Sequence, residues 1–164
     1  MSVSHDINTL RELKDGKLSF EKLHGLISGF KDADRFDKMV QIWQESVEWD
    51  DPILLPLAEH LFVVRKPDGR RVVKSTWGYE YCDVQENWKL HAKVFVRDSE
   101  ELINEIYPDK LGCDPEWMQL REYYDPLSGA LLEVEVVPPG YPIVHDFKPD
   151  IDTFYRDWLG RPVP

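Results

Sequence analysis

Apolar residues recur at helical spacing through the first third of the chain and then switch to alternation. Ile7, Leu10 and Leu13 follow Asp6, whose carboxylate can accept the free N–H groups of a first helical turn, so a short helix capped by Asp6 is predicted. Ser19 takes the same part in "LSFEKLHGLISG", with Leu18 and Leu23 placed as a hydrophobic staple and Gly25 and Gly29 weakening the end. A third stripe, Phe36, Met39, Val40, Trp43 and Val47, marks a longer amphipathic helix, and its apolar side reads as core packing rather than a cofactor box.

From Trp49 the punctuation changes. Pro52 and Pro56 precede an apolar run from Leu61 to Val64, a Pro67-Asp68-Gly69 turn, and a return run through Val72 and Val73, which together predict a hairpin. In "WKLHAKVFVRD", Trp88, Leu90, Ala92, Val94 and Val96 fall on one side and Lys89, His91, Lys93 and Arg97 on the other, with Phe95 the exception. This alternation predicts a strand over the stretch. Asp98 with Glu101 resembles a capping box for a helix that Pro108 ends. Arg121 to Val136 reads as a second hairpin with Asp125, Pro126, Ser128 and Gly129 at its tip. A proline-rich lead from Tyr141 then runs into a helix from about Asp150, with Phe154, Trp158 and Leu159 on its apolar side and Gly160-Arg161-Pro162 as the stop.

The order of elements predicts an α+β fold: short N-terminal helices (residues 1–48), a β-rich, largely antiparallel domain (49–140), and a C-terminal extended arm and helix (141–164). The tip at Asp125 to Gly129 has the backbone shape of a zinc knuckle, with Asp125 and Ser128 where thiolates would stand. Spacing alone leaves open whether it is an ordinary turn or a knuckle without its ligands.

Composition narrows the function. Lys plus Arg number 20 against 31 Asp plus Glu, giving a formal charge of −11, so nucleic acid is not an expected partner. Six Trp, seven Tyr and seven Phe in 164 residues are more than one modest core readily hides, which points to a large protein partner. Two cysteines, Cys82 and Cys113, are too few for a disulfide framework, and neither a leader nor a membrane-length apolar run is apparent, so a cytoplasmic protein is expected.

Catalytic patterns are missing. Neither G-x-x-x-x-G-K-[ST] nor G-x-G-x-x-G occurs, nothing marks Cys113 as a nucleophile, and Asp50-Asp51 reads as a cap before Pro52 rather than a metal pair. His145 and Asp146 are adjacent in an extended segment and point to opposite faces, so His145 is a candidate anchor in an interface rather than half of an acid–base pair. Tyr141, His145, Phe147, Phe154, Tyr155 and Trp158 are the expected partner-binding residues of a docking arm. A chain cut after Gly140 is expected to remain folded.

Read together, "WDDPILLPLAEHLFVV", "CDVQENWKLHAKVFVRD", "EIYP", "LREYYDPLSG" and "YPIVHDFKPDIDTFYRDWLGRPVP" resemble the small gamma subunit of the ATP-dependent ketone carboxylases. The acetone type is nearest and the acetophenone type next. The resemblance implies large, hydantoinase-like alpha and beta partner subunits that hold ATP and a divalent metal and join a ketone to bicarbonate, giving a 3-oxo acid. This chain is then their non-catalytic companion, with no cofactor of its own. A free-standing ligand-binding or adaptor domain descended from such a subunit is the alternative.

Members of that family typically carry C-x-C-G-H-x-x-C and C-P-x-C-G knuckles that suit a structural zinc. Here the first reads Ser75-Thr76-Trp77-Gly78-Tyr79-Glu80-Tyr81-Cys82 and the second Asp125-Pro126-Leu127-Ser128-Gly129. Of the positions Ser75, Trp77, Cys82, Asp125 and Ser128, Cys82 alone is a thiol, so the expectation is knuckle backbones kept and metal lost. A structural zinc contributes on the order of 10 kcal/mol to folding, and Trp77, Tyr79 and Tyr81 packed across the two tips are the expected replacement.

Overall fold

A computed structural model describes residues 4–30, 32–108 and 111–164. Three helices open it: α1 (Ile7–Lys14), capped by the Asp6 side chain, α2 (Phe20–Ser28), capped by Ser19, and α3 (Arg35–Gln44). Leu10, Leu26 and Ile42, one from each helix, make a small core together with Leu18 and Met39. The opposite side of the α3 stripe, Val40 and Trp43, packs with Val47 and Trp49 on Phe62 and its neighbours in the first sheet.

That sheet is antiparallel in the order β1 (Ile53–Ala58), β2 (Leu61–Arg65), β3 (Arg71–Ser75), β4 (Glu80–Asp83). A second antiparallel sheet follows, β5 (Lys93–Arg97), β6 (Gln119–Tyr124), β7 (Leu131–Val137), with helix α4 (Glu100–Asn104) between β5 and β6. The α+β architecture and both hairpins agree with the sequence reading, and the strands divide into two sheets rather than one.

Two local readings are corrected. Trp88–His91 is a 3-10 turn, not the start of a strand, because the Asn87 side chain accepts the N–H of Lys89 and winds the chain. The winding turns Lys89 inward and leaves Leu90 exposed, so the expected polarity of that pair is reversed. Helix α4 is capped by Ser99, which accepts from the N–H of Leu102, in place of Asp98.

The chain closes with α5 (Ile151–Thr153), capped by Asp150 and widening into a π-type turn over Phe154–Trp158. Ile151 and Tyr155 are fully enclosed with Leu54, Val63 and Val84, and the Tyr155 hydroxyl donates to Leu54 O at 2.8 Å. Phe36 of α3 meets Phe154 edge-on at 5.0 Å between centroids. The core therefore runs across the expected segment boundaries, and the C-terminal helix belongs to it. Among the described residues no helix is long and apolar enough to cross a membrane.

Candidate functional site: the seam between the sheets

The two knuckle-like tips lie in different sheets. The first joins β3 to β4, and the second joins β6 to β7. In the first, Gly78 has φ of 93°, a conformation a side chain would strain, and its N–H donates to Ser75 O at 2.9 Å. Trp49 holds this turn from beneath, its Nε1 donating to the carbonyls of Ser75 and Thr76 at 3.2 and 3.1 Å. In the second, Gly129 has φ of 74° and its N–H donates to Asp125 O at 2.9 Å.

Asp125 joins the tips. Its side chain has no exposed surface; Oδ1 accepts from the N–H of Leu127 at 3.0 Å, the N–H of Ser128 at 2.7 Å and the hydroxyl of Ser128 at 3.0 Å. Oδ2 accepts from the Tyr81 hydroxyl on β4 at 2.7 Å. Burial works to raise the pKa of Asp125, but the donors from Ser128, Tyr81 and Ser75 more than offset it and hold the carboxyl below its ordinary value. Burial, with the neighbouring carboxylate, pushes the Tyr81 hydroxyl well above its usual pKa and keeps it a donor.

An aromatic chain runs from this node across the seam. Tyr79 meets Tyr81 at 4.8 Å, Tyr81 meets Trp88 at 5.8 Å, and Trp88 meets Tyr123 of β6 at 6.0 Å, all edge-on. Trp77, expected to share in this packing, lies instead against His60 at 4.8 Å. The junction is thus polar as well as aromatic.

At its far end stands Lys89, 1 % exposed. Its Nζ contacts Glu133 Oε1 at 2.6 Å, Glu135 Oε1 at 2.5 Å and the carboxylate of Asp146, while the Tyr123 hydroxyl donates to Glu135 Oε2 at 2.7 Å. Burial disfavours the charged lysine, but the bonds to Asp146, Glu133 and Glu135 outweigh it and raise its pKa. Burial and the bond to Glu135 push the Tyr123 hydroxyl up to about 12. Glu133, Glu135 and Asp146 have the oxygen-rich spacing of a cation site, and the ammonium of Lys89 bonds to all three.

The arm is fastened here. Besides Asp146 on Lys89, the guanidinium of Arg121 donates to Tyr141 O, and Asn87 Nδ2 donates to Ile143 O at 3.4 Å. His145, half-buried, lines a cavity of about 120 Å³ with Leu57, Ala58, Trp88 and Phe147. Among the remaining arm residues, Tyr141, Phe147 and Trp158 are exposed, Trp158 at 81 %, whereas Phe154 is half-buried. Tyr155 is the correction: at 2 % exposure it belongs to the chain's own core and offers no surface to a partner.

The structure brings together Ser75, Asp125 and Ser128 of the five knuckle positions. Cys82 stands apart, its Sγ donating to Glu86 O at 3.7 Å and its pKa pushed up to about 11 by burial and by Glu86 and Asp83. Glu80 is bound by Lys66 at 2.6 Å. These donors suit zinc poorly: the carboxylate is saturated by N–H and O–H groups, and the thiol is held protonated. Sequence reasoning missed Lys89, Glu133, Glu135 and Tyr123. The E-x-E of "LEVEV" carried a signal, since alternation puts both glutamates on one face of a strand.

Comparison with known proteins places this two-sheet chain among the subunits of carboxylases. It is 45 % identical to the acetone carboxylase gamma subunit of Xanthobacter autotrophicus over 154 residues, 93 % of this chain and 92 % of the relative. It is 30 % identical to the acetophenone carboxylase beta subunit of Aromatoleum aromaticum over 78 residues, 46 % of this chain and 60 % of that one. The chain belongs to the acetone carboxylase gamma subunit family, whose model matches residues 47–159.

Proposed function

We propose that this chain is the structural small subunit of a heteromeric, ATP-dependent ketone carboxylase that joins acetone or a related ketone to bicarbonate, yielding a 3-oxo acid. The observation that carries the reading is the end-to-end match to the Xanthobacter gamma subunit, which covers nearly all of both chains. ATP and a divalent metal belong, in this reading, to larger hydantoinase-like alpha and beta subunits in the cytoplasm. The chemistry of the seam supports a holding role, since its more enclosed acids, Asp125 and Glu135, are spent on N–H and O–H donors and on Lys89 rather than left free to move protons.

The knuckles work here without a structural zinc: hydrogen bonds to Asp125 and the Tyr81–Trp88–Tyr123 aromatic chain tie the sheets in its place. Tyr141, Phe147 and Trp158 face a large subunit, with His145 at the rim. The test is purification of the tagged chain from its host. Two much larger chains should accompany it, the assembly should carboxylate a ketone with bicarbonate and ATP, and the small chain alone should show no turnover. Elemental analysis of the small chain should find zinc well below one per chain; a tightly held stoichiometric zinc would refute the hydrogen-bonded junction. Recovery of the chain as a lone monomer binding a small ligand would favour the adaptor reading.

A further inference from the structure

The two sheets have four edge strands, and three of them are protected. β1 contains Pro56 and two register shifts, β4 has only four residues, and β5 carries the exposed Lys93. β7 differs in length and side chains: at seven residues it has neither proline nor a basic side chain, its one register shift lies at the Leu131 end and leaves Glu133 to Val137 regularly paired, and it forms the outer edge of its sheet. One row of its backbone N–H and C=O groups therefore faces away from β6, with no strand beside it among the described residues.

Its side chains are reversed relative to a free-standing sheet. Val134 lies across from Glu122, which lies across from Phe95, and Val136 lies across from Leu120, so these share one face. On that face Phe95, Val134 and Val136 are 40 %, 43 % and 51 % exposed. Glu133 and Glu135 occupy the inner face, where with Asp146 they surround the ammonium of Lys89; with Arg121 across from Glu135 on the same face, three carboxylates meet two cations and one negative charge is left in excess. Glu133 and Asp146 keep much of their surface open to water.

We propose that β7 is extended by a strand from one of the large carboxylase subunits, a segment whose side chains alternate basic beside Glu133 and Glu135 and apolar beside Val134 and Val136. The source of the strand rests on the subunit reading above; its chemistry rests on β7. Backbone pairing supplies affinity in such additions, and the alternating side chains supply selection. A second copy of this chain fits badly. Antiparallel self-pairing centred on Val134 sets Glu133 of each copy directly opposite Glu135 of the other, and like charges so placed repel. The formal charge of −11 on each copy adds to the penalty.

The test is hydrogen exchange read by mass spectrometry on the full chain, alone and within the purified assembly. Peptides covering 131–137 should exchange at least about tenfold more slowly in the assembly. Val136→Lys, at an exposed position, should keep the circular dichroism spectrum and weaken capture of the large subunits at least about tenfold. Glu133→Gln should reduce the salt sensitivity of assembly. An assembly that forms with exchange of 131–137 unchanged, or that forms equally well with Val136→Lys, overturns the strand addition while leaving the subunit reading intact. Sedimentation of the isolated chain as a dimer with 131–137 protected assigns the edge to a second copy and overturns it as well. Failure of any larger chain to co-purify overturns both.

Discussion

The Tyr81 hydroxyl donates 2.7 Å to Asp125 across 44 residues of sequence, and this bond links the tip of one sheet to the tip of the other. Because Asp125 is buried and charged, the bond belongs to the stronger class of hydrogen bonds, and its loss leaves an acceptor with fewer donors than it needs. Tyr81→Phe should lower stability by about 1.5–3 kcal/mol, and Asp125→Ala, which strands the Tyr81 and Ser128 donors together, by about 3–4 kcal/mol. Urea midpoints of the three proteins check both values.

Acid should loosen the same junction. Asp125, Asp51 and Glu122 all titrate below their ordinary values because bonds to Ser128 and Tyr81, to Lys66 and Lys74, and to Arg97 outweigh the opposing effect of burial. A depressed folded-state pKa means the stabilisation is complete above the unfolded values of 3.8 and 4.5 and is lost as pH falls through the lower folded ones. Urea titrations at stepped pH should show a fall in stability below about pH 4.5. Asp125→Asn should make that fall shallower.

Lys89 gathers three carboxylates that lie 44 to 57 residues away from it, and removing it should be costly on both sides of the seam. Lys89→Met should destabilise by about 3 kcal/mol, the low end for breaking a buried ion pair, because Glu133 and Asp146 can turn to water while Glu135 cannot. Adding Glu135→Gln should recover part of the loss. Exchange of 141–149 should quicken in Lys89→Met, since Asp146 fastens the arm there.

The C-terminal helix should divide by residue. Tyr155→Ala removes a ring enclosed by Leu54, Val63 and Ile151 and should cost about 3–5 kcal/mol, so a chain cut after Gly140 should fail to fold stably. Trp158→Ala, at an exposed position, should stay within about 0.5 kcal/mol of the parent while reducing capture of large subunits. Thermal melts paired with co-purification separate the two effects.

Helix caps at Asp6 and Ser19, the α3 stripe and both hairpins were legible in the chain alone, because periodicity, capping and turn chemistry act between neighbours, and the family was legible as a resemblance of several spaced segments. Proline and exposed-looking aromatics made the C-terminal segment resemble an arm, yet Ile151 and Tyr155 go inside, since only the assembled sheet offers them Leu54 and Val63. Alternation likewise put Lys89 outside. Lys89 is inward because carboxylates wait for it there, and those carboxylates come from β7 and the arm, far away in sequence. The turns around Gly78 and Gly129 were visible as backbone shapes; that Asp125 and Tyr81 would join them was decided by the packing of one sheet against the other.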